Sequence, residues 1–322
     1  MRTLTTVAAA CTAAALTLTL AACGSSTDDK ATDGAITLKN CGHTVTLKAP
    51  ATRAITVNQG ATESALAIGA ENDMIGTAYL DDEIAPQFKA AYDKIPVIAP
   101  KYPDLETVIS KKPDLVAASY GSAFADKGIG TREELAKLDI ATYVSPFGCE
   151  NKADRAASSW DAIAGEVSDY GKLFGRTDAA DGVNEKMRDT LAELKKKDAG
   201  KGTTIMWWDD ATDTPSVGAK SGGPQLIMDA VGATNVFADL DGNWADTSWE
   251  QVIKADPDVI VLIDADFSRA DAKRQFLESD PALAGLKAVK NKSYIVIPFS
   301  ESTPGARTID GAVTLSDALA KR

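Results

Sequence analysis

Histidine is nearly absent from this chain, which has a single one, His43, among its 322 residues. A Ser-His-Asp triad requires a histidine base, and a histidine at a predicted hairpin turn is poorly placed to act as one. The cysteine and histidine spacings typical of zinc sites are also missing. Neighbouring acids such as Asp209 and Asp210 are common on surfaces and give little support for glycoside hydrolysis. A secreted hydrolase is therefore a less favoured interpretation than a protein that carries out no reaction.

Basic residues are outnumbered in this sequence. The chain has 34 Lys and Arg residues against 46 Asp and Glu residues, which gives a formal net charge of −12. The phosphates of nucleic acids and anionic lipid surfaces repel a chain with such an excess of acid. We therefore expect no nucleic-acid partner.

Cysteine is scarce too, with four residues. Residues 1–22 contain one basic residue, a short apolar run and small residues at the end, which predicts a secretory signal peptide rather than a membrane span. The sequence Leu20-Ala21-Ala22-Cys23 resembles the lipobox, in which the cysteine sulfur receives a diacylglyceryl group and becomes the mature N-terminus. The small polar residues of 23–34 predict a flexible tether. Cys41 and Cys149 remain, and they form either a disulfide, the favoured interpretation, or two free thiols.

One stretch occurs twice, at Glu106 and again at Glu250, 144 residues later. Each copy has the Glu early in a predicted helix, Val-Ile two residues on, Pro-Asp seven and eight residues on, and then an apolar, β-branched run. Proline donates no amide proton and disfavours a helical residue before it, so the helix ends there and a buried strand follows. The repeat predicts two similar lobes.

The rest of the chain alternates strands with helices in both halves, which predicts right-handed crossovers and parallel sheets. A small hairpin is expected over residues 35–48. Thr62 is the predicted N-cap of a helix that runs through Ala70, with Glu63 in its first turn. Apolar residues recur at helical spacing in 152–199, without a strand signal. We therefore expect helices between the two halves.

These features together resemble one family, the substrate-binding lipoproteins of ABC importers for iron-siderophore complexes and corrinoids. The resemblance covers residues 38–320. The matching segments are Arg53-Ala54-Ile55-Thr56-Val57, Leu66-Ala67-Ile68-Gly69-Ala70, Asp104-Leu105-Glu106, Lys112-Pro113-Asp114-Leu115-Val116, Trp249-Glu250-Gln251-Val252 and Asp256-Pro257-Asp258-Val259-Ile260-Val261. It implies an α/β fold of two Rossmann-like lobes with parallel sheets joined by a long helical linker, the class III periplasmic-binding-protein fold. The expected divisions are a signal peptide (1–22), a tether (23–34), an N-terminal lobe (35–151), a linker (152–199) and a C-terminal lobe (200–322).

The resemblance also implies a function and partners. Such a protein is anchored by lipid at Cys23 on the extracytoplasmic face of the cell membrane, and it captures its ligand between the lobes as a monomer. It then docks on a dimeric ABC permease, which works with an ATPase, through one surface Glu per lobe. Glu106 and Glu250 occupy those positions. The alternative for these glutamates is a small effect on helix stability near each N-terminus.

The expected cargo is a small-molecule iron chelate, a ferric-siderophore complex. A corrinoid, haem or another large cofactor-like ligand is the alternative. Relatives that bind bare zinc or manganese use several histidines, so a bare metal ion is not expected here. No cofactor is expected either.

The ligand site is predicted from topology, because open parallel sheets bind ligands beyond the carboxyl ends of their strands. Trp244 matches a position that lines the cleft in corrinoid-binding relatives, and Tyr102 is its expected counterpart across the cleft. Trp207 suits a core position as well as the cleft, and Arg307 suits a helix cap as well as the ligand. The basic residues suited to an anionic ferric complex are Lys101, Lys220 and Arg307. The predicted ligand-binding residues are Gln59, Tyr79, Tyr102, Tyr120, Trp208, Trp244 and Arg307.

Overall fold

The computed structural model describes residues 34–125 and 128–322. The predicted signal peptide, Cys23 and nearly all of the tether lie outside these residues. Within them, no helix is both long and apolar enough to cross a membrane. The described chain folds into two α/β lobes, each built on its own sheet.

The first lobe contains a five-stranded parallel sheet in the order β5-β4-β3-β6-β7. An all-parallel sheet needs both faces covered, and β3 and β6 are buried along their whole length. A separate antiparallel hairpin, β1 and β2, packs against this lobe through Val45 and Leu47. The strands are β1 (Ile36–Asn40), β2 (His43–Leu47), β3 (Ala54–Val57), β4 (Met74–Ala78), β5 (Val97–Ala99), β6 (Leu115–Ala118) and β7 (Ala141–Val144). The helices are α1 (Gln59–Ala67), α2 (Lys89–Tyr92), α3 (Leu105–Lys111) and α4 (Arg132–Ala136).

Two helices connect the lobes, α5 (Trp160–Leu173) and α6 (Thr177–Lys197). Helix α5 begins with Trp160 against the core of the second lobe and places Val167 in the core of the first. Helix α6 runs back, from Ala180 in the first core to Leu194 in the second. The helices predicted in this segment are therefore present as a pair that packs against both lobes.

The second lobe has a mixed sheet in the order β11-β9-β8-β12-β13, with β10 paired to β8. Strands β8, β10, β12 and β13 are parallel, but β9 and β11 pair antiparallel. The prediction of a fully parallel second sheet is wrong at this edge, because the short turn between β8 and β9 leaves no room for the crossover that parallel strands need. The strands are β8 (Thr204–Asp210), β9 (Ser216–Gly218), β10 (Thr234–Asn235), β11 (Trp244–Asp246), β12 (Val259–Asp264) and β13 (Tyr294–Pro298). The helices are α7 (Gly222–Ala230), α8 (Trp249–Ala255), α9 (Ala270–Ser279), α10 (Lys287–Lys290), α11 (Phe299–Ser302) and α12 (Thr308–Leu319).

The repeated stretch forms the same unit in both lobes, α3 followed by β6 and α8 followed by β12. Each helix ends at a left-handed residue directly before the proline, Lys112 with φ 53° and Asp256 with φ 40°. This agrees with the expectation that a residue before proline leaves the helical region. The helix–turn–strand interpretation of the repeat is confirmed.

Helix α1 begins earlier than predicted. Its N-cap is Asn58, and Thr62 lies inside the helix. The Thr62 hydroxyl bonds the Asn58 carbonyl and lies 2.9 Å from the hydroxyls of both Thr56 and Thr77. Because that hydroxyl is committed to a buried network across β3 and β4, it does not cap the helix. Glu63, expected in the first turn, is 1% exposed.

Cys41 and Cys149 form a disulfide, with their Cα atoms 5.3 Å apart. The bond ties the hairpin turn to the loop after β7. Arg132 supports the same junction by donating to the Asn40 side chain at 3.0 Å and to the Thr142 hydroxyl at 2.9 Å.

Candidate ligand site between the lobes

A cavity of 220 Å³ lies between the lobes. Both lobes and helix α5 contribute to its wall, and the contributing loops follow the carboxyl ends of several parallel strands, where ligands of such sheets bind. Its lining residues are Gln59, Gly60, Ser64, Asp81, Ser119, Tyr120, Ser145, Phe147, Gly148, Glu166, Asp209, Asn243, Trp244, Phe299, Ser300, Thr303, Pro304 and Gly305.

The backbone is strained where strands end at this cavity. Asn58 after β3 has φ 71° and ψ 161°, a region that glycine normally occupies. Tyr79 after β4 has φ 56°, and Ala211 after β8 has φ 62°. Non-glycine residues with such angles cluster at functional sites, where surrounding contacts hold them in place.

Three carboxyl groups line the cavity, one from each part of the wall. Asp81 comes from the first lobe, Asp209 from the second and Glu166 from α5. Burial raises the pKa of Asp81 to about 6 and that of Asp209 to about 6. Lys273 opposes the shift at Asp209, and the Gln59 backbone amide opposes it at Asp81. Burial raises the pKa of Glu166 further, to about 8, so this side chain is mostly protonated near neutral pH when the cavity is empty.

Tyrosines form the adjoining part of the first lobe. Burial, followed by the charge of Asp81, raises the pKa of Tyr120 above its ordinary value, so its hydroxyl keeps its proton. Tyr79 and Tyr102 make an edge-to-face pair with ring centroids 4.9 Å apart, and the Lys101 ammonium lies 4.2 Å from the Tyr79 ring centroid. The Tyr79–Tyr102 pair lies close enough to Tyr120 to affect its pKa, but neither ring lines the cavity.

The structure brings three of the predicted ligand-binding residues to the cavity wall: Gln59, Tyr120 and Trp244. The Gln59 amide donates to the Glu63 carboxylate at 2.8 Å and to the Glu83 carbonyl at 3.2 Å. Its own carbonyl oxygen is buried without a partner. Contact of these residues with a ligand stays a prediction.

The prediction that Trp208 lines the cleft is wrong in this structure. Its side chain is 0% exposed and packs edge-to-face on Trp249, with ring centroids 5.0 Å apart. Its indole N–H donates to the backbone carbonyl of Asp210 at 2.8 Å. Successive strand residues point to opposite faces, and both faces of this sheet are covered, so Trp207 is buried as well. Only Asp209, the next residue, reaches the cavity.

Arg307 does not line the cavity either. Its guanidinium is buried between the lobes, where it donates to Glu63 at 3.1 Å and to Glu301 at 3.3 Å. The other basic residues proposed for an anionic ligand are also elsewhere: Lys101 lies over Tyr79, and Lys220 pairs with Asp241 on the surface. None of the three basic residues suited to an anionic ferric complex therefore lines this cavity.

Sequence reasoning missed the three acids of the wall. Asp81 follows β4 and Asp209 is near the end of β8, at the carboxyl ends of the strands where ligands are expected, but no sequence pattern separated them from ordinary surface acids. Glu166 left a clearer signal, since it lies three residues after Ile163 and four before Tyr170, on the apolar face of α5. A charged residue on a buried helix face is rare unless it has a partner or a function.

Metal ligands are not assembled in the part of the chain that the structure describes. No group of three or more His, Cys, Asp or Glu side chains there could hold a metal ion. His43, in the hairpin, lies 3.6 Å from the Glu133 carboxylate and away from the cavity.

Comparison with known proteins identifies the class. A family model described as periplasmic binding protein matches residues 55–301, and the chain belongs to this family. The uncharacterized ABC transporter substrate-binding lipoprotein YvrC of Bacillus subtilis is 23% identical over 280 residues, covering 85% of this chain and 82% of the relative. A periplasmic binding protein from Veillonella parvula is 25% identical with a TM-score of 0.77, covering 89% of this chain and 98% of that one. A structure described as an ABC-type Fe3+-hydroxamate transport system from Saccharomonospora viridis is 24% identical with a TM-score of 0.73. The match covers 88% of this chain and 98% of that one.

This protein is thus the substrate-binding component of an ABC transporter. The family assignment confirms the prediction of a binding protein rather than an enzyme, and the structural likeness confirms the two-lobe fold.

Proposed function

We propose that this protein captures a ferric-siderophore complex between its lobes and delivers it to a membrane permease dimer that works with an ATPase. The observation that carries the proposal is the cavity, whose wall comes from both lobes and from helix α5. A ligand held by both lobes stabilises one relative arrangement of them, which gives a permease a surface to recognise.

The wall combines aromatic rings with hydrogen-bonding groups, as sites for compact organic ligands do. Trp244 and Phe299 supply apolar area, while Tyr120 and Ser300 supply hydroxyls. The cavity is smaller than the roughly 300–1,000 Å³ of drug-sized sites, so a siderophore complex requires the lobes to move apart or the ligand to extend beyond it. Tyr79 and Tyr102 lie beside Tyr120 and are suited to contact the extending part. The similar Saccharomonospora viridis protein, described as part of an Fe3+-hydroxamate transport system, agrees with this class of cargo.

A corrinoid is the second candidate. Trp244 lines the cavity, and its position matches one that lines the cleft in corrinoid-binding relatives. Haem is less favoured, because it carries two carboxylates and the cavity wall is acidic.

Titration of the purified protein separates these ligands. Ferric hydroxamates, ferric catecholates, haem and cobalamin are added in turn, and the intrinsic tryptophan fluorescence is followed. We expect a saturable change with at least one iron-siderophore complex and no chemical turnover. A response to cobalamin with none to any iron complex contradicts the proposal.

We further propose lipid anchoring at Cys23 on the extracytoplasmic face of the membrane. The support is the Leu20-Ala21-Ala22-Cys23 sequence and the similarity to a protein described as a lipoprotein. Radiolabelled palmitate should enter the protein in cells, and Cys23→Ser should remove the label. Label retained by that variant contradicts the anchor.

Docking on the permease is proposed for Glu106 and Glu250. Each is exposed and is the second residue of its helix, two positions after an N-cap whose side chain accepts a backbone hydrogen bond, Asp104 in one lobe and Ser248 in the other. Paired charges on two similar lobes suit a two-fold partner and fix its orientation.

The test is the double variant Glu106→Arg/Glu250→Arg. It should abolish ligand uptake by cells while ligand affinity of the purified protein is unchanged. Asp178→Arg is the matched control, since Asp178 is an exposed first-turn acid of α6 that is not part of the repeat. Normal uptake by the double variant, or equal loss in the control, contradicts docking through these residues.

A further inference from the structure

The charged side chains of the cavity wall are acidic. Among the residues that the structure describes, the ionisable ones lining the cavity are Asp81, Glu166, Asp209 and Tyr120, and none is Lys, Arg or His. An anionic ligand placed there would bring like charges together in a partly desolvated site, which costs free energy.

Some hydrogen-bonding atoms of the wall are unpaired. Gln59 is 2% exposed, and its buried acceptor Oε1 has no partner among the described residues; Oδ1 of Asp209 is a second such acceptor, while the Trp244 indole N–H is an unpaired donor. Leaving buried acceptors unpaired costs free energy. A ligand that carries N–H groups removes that cost.

Basic side chains close to the wall are engaged in other contacts: Arg307 donates to the wall residue Ser300 but is paired with Glu63 and Glu301. The Lys273 ammonium donates to three backbone carbonyls, those of Asp209, Ile263 and Ser268. The ammonium therefore attracts the Asp209 carboxylate electrostatically without itself lining the cavity. The Lys101 ammonium attracts the Asp81 carboxylate electrostatically, and it lies over the Tyr79 ring. Neither ammonium lines the cavity, so the described part of the wall carries no cation of its own to neutralise these acids.

We propose that the ligand presents a positively charged nitrogen group to Asp81 and Asp209. This inference rests on the proposed function and narrows its ligand class. Three hydroxamates neutralise ferric iron, so a trishydroxamate complex with a free ammonium group carries one positive charge. A ferric triscatecholate carries three negative charges, and the acidic wall disfavours it. Because Asp81 and Asp209 belong to different lobes, one cationic group between them would hold the lobes together.

The experiment uses three probes with one ferric centre: ferrioxamine B with its free ammonium, the N-acetylated form with no charge, and the N-succinylated form with one negative charge. Dissociation constants are measured by calorimetry on the unaltered protein at pH 7. A charge-assisted hydrogen bond contributes about 1.5–3 kcal/mol, so acetylation should weaken binding about tenfold to a hundredfold. Succinylation should weaken it further.

Asp81→Asn and Asp209→Asn, which preserve side-chain shape, should each reduce the preference for ferrioxamine B over the acetylated form. Asp213→Asn is the matched control, because Asp213 is an exposed acid of the same lobe as Asp209 and does not line the cavity. Equal or tighter binding of the acetylated form overturns the inference, as does a preference that both cavity variants retain.

Failure of the proposed function gives a different result. Two corrinoids, aquacobalamin with one positive charge at the metal and neutral cyanocobalamin, are measured alongside the iron complexes. Binding of the corrinoids alone overturns the ferric-siderophore proposal and, with it, the charge inference that rests on that proposal. Binding of the neutral acetylated complex as tightly as ferrioxamine B leaves the siderophore function standing and overturns the charge inference. Binding of no probe overturns both.

Discussion

Replacing Arg307 tests how the two lobes are held together. Its guanidinium donates to Glu63 of the first lobe at 3.1 Å and to Glu301 of the second at 3.3 Å, and it lies 3.9 Å from Asp82. The side-chain exposures of Arg307, Glu63, Asp82 and Glu301 are 8%, 2%, 9% and 11%. One buried cation of the second lobe therefore faces three acids, of which Glu63 and Asp82 belong to the first lobe.

Arg307→Met keeps much of the side-chain volume and removes the charge. Removing one partner of a buried ion pair costs about 3–5 kcal/mol, because the other charge stays buried and uncompensated. We expect a loss of that size at pH 8. Burial already raises the pKa of Glu63 to about 7, with Arg307 opposing the shift, so removing Arg307 raises that pKa further. At pH 5 the Glu63 carboxyl is then protonated in the folded variant, and the loss should be smaller.

The assay is urea unfolding followed by circular dichroism at pH 5 and pH 8. Arg269→Met is the matched control, since Arg269 is 60% exposed and also has two acidic neighbours, Asp264 and Asp266. An exposed pair of this kind contributes about 0–1 kcal/mol. The double variant Glu63→Gln/Arg307→Met should recover part of the stability lost at pH 8. An equal loss at both pH values would indicate lost packing rather than uncompensated charge, and would refute the reasoning.

Two other perturbations have expected outcomes. Cys41→Ser/Cys149→Ser removes a disulfide between residues 108 positions apart. The unfolded chain gains entropy, so the free energy of unfolding measured with urea should fall by about 2–5 kcal/mol. Unchanged stability would contradict a disulfide in the native protein. The pKa values of Glu63 and Glu166, about 7 and about 8, lie above the 4.5 of an unfolded glutamate, so between these values the folded state binds more protons than the unfolded state. Stability of the unliganded protein should therefore fall as pH rises from 5 to 8, and Glu166→Gln should flatten the fall; calorimetric Tm values that rise over this range would contradict it.

Local sequence signals predicted most of the secondary structure. Strands β6 and β12 stand out because apolar runs follow a Pro-Asp pair, and both are buried as expected. The hairpin of β1 and β2 follows from strict alternation around Asn40-Cys41-Gly42. The start of α1 was missed because Asn58 adopts a positive φ that side chains rarely take, and only the surrounding fold holds it there.

The site was harder to predict, because its residues are chosen by contacts between distant segments. Trp208 and Asp209 are adjacent in the sequence, yet one is in the core and the other lines the cavity. Both faces of this sheet are covered, so the point along the strand at which the packing ends decides which side chain reaches the cavity, and that point depends on segments distant in the sequence. Arg307 looked like a ligand contact for the same reason, since its partner Glu63 is 244 residues away in the chain.

The repeated stretch contains two acids, and the structure separates their roles. The Asp after each proline accepts hydrogen bonds at the start of the neighbouring strand: Asp114 from the Thr52 amide at 2.8 Å, and Asp258 from the Thr204 amide at 3.0 Å. These hydrogen bonds stabilise the fold, which is reason enough for an Asp in both copies of the repeat. Glu106 and Glu250 are exposed, and among the described residues neither forms an ion pair within 4 Å, so folding gives no comparable reason for their repetition.

If both glutamates dock on one permease dimer, their separation has to be maintained, and that separation depends on the contacts between the lobes. Helices α5 and α6 contact both cores, and the Arg307 cluster adds a direct link from Glu63 to Glu301. Arg307→Met should therefore reduce uptake by cells even where ligand affinity is retained, because the two docking residues lose their fixed spacing. Glu106→Gln, which leaves the lobes in place, should reduce uptake without changing stability. Full uptake by Arg307→Met, measured in cells with the protein present at normal abundance, would show that docking tolerates movement of the lobes.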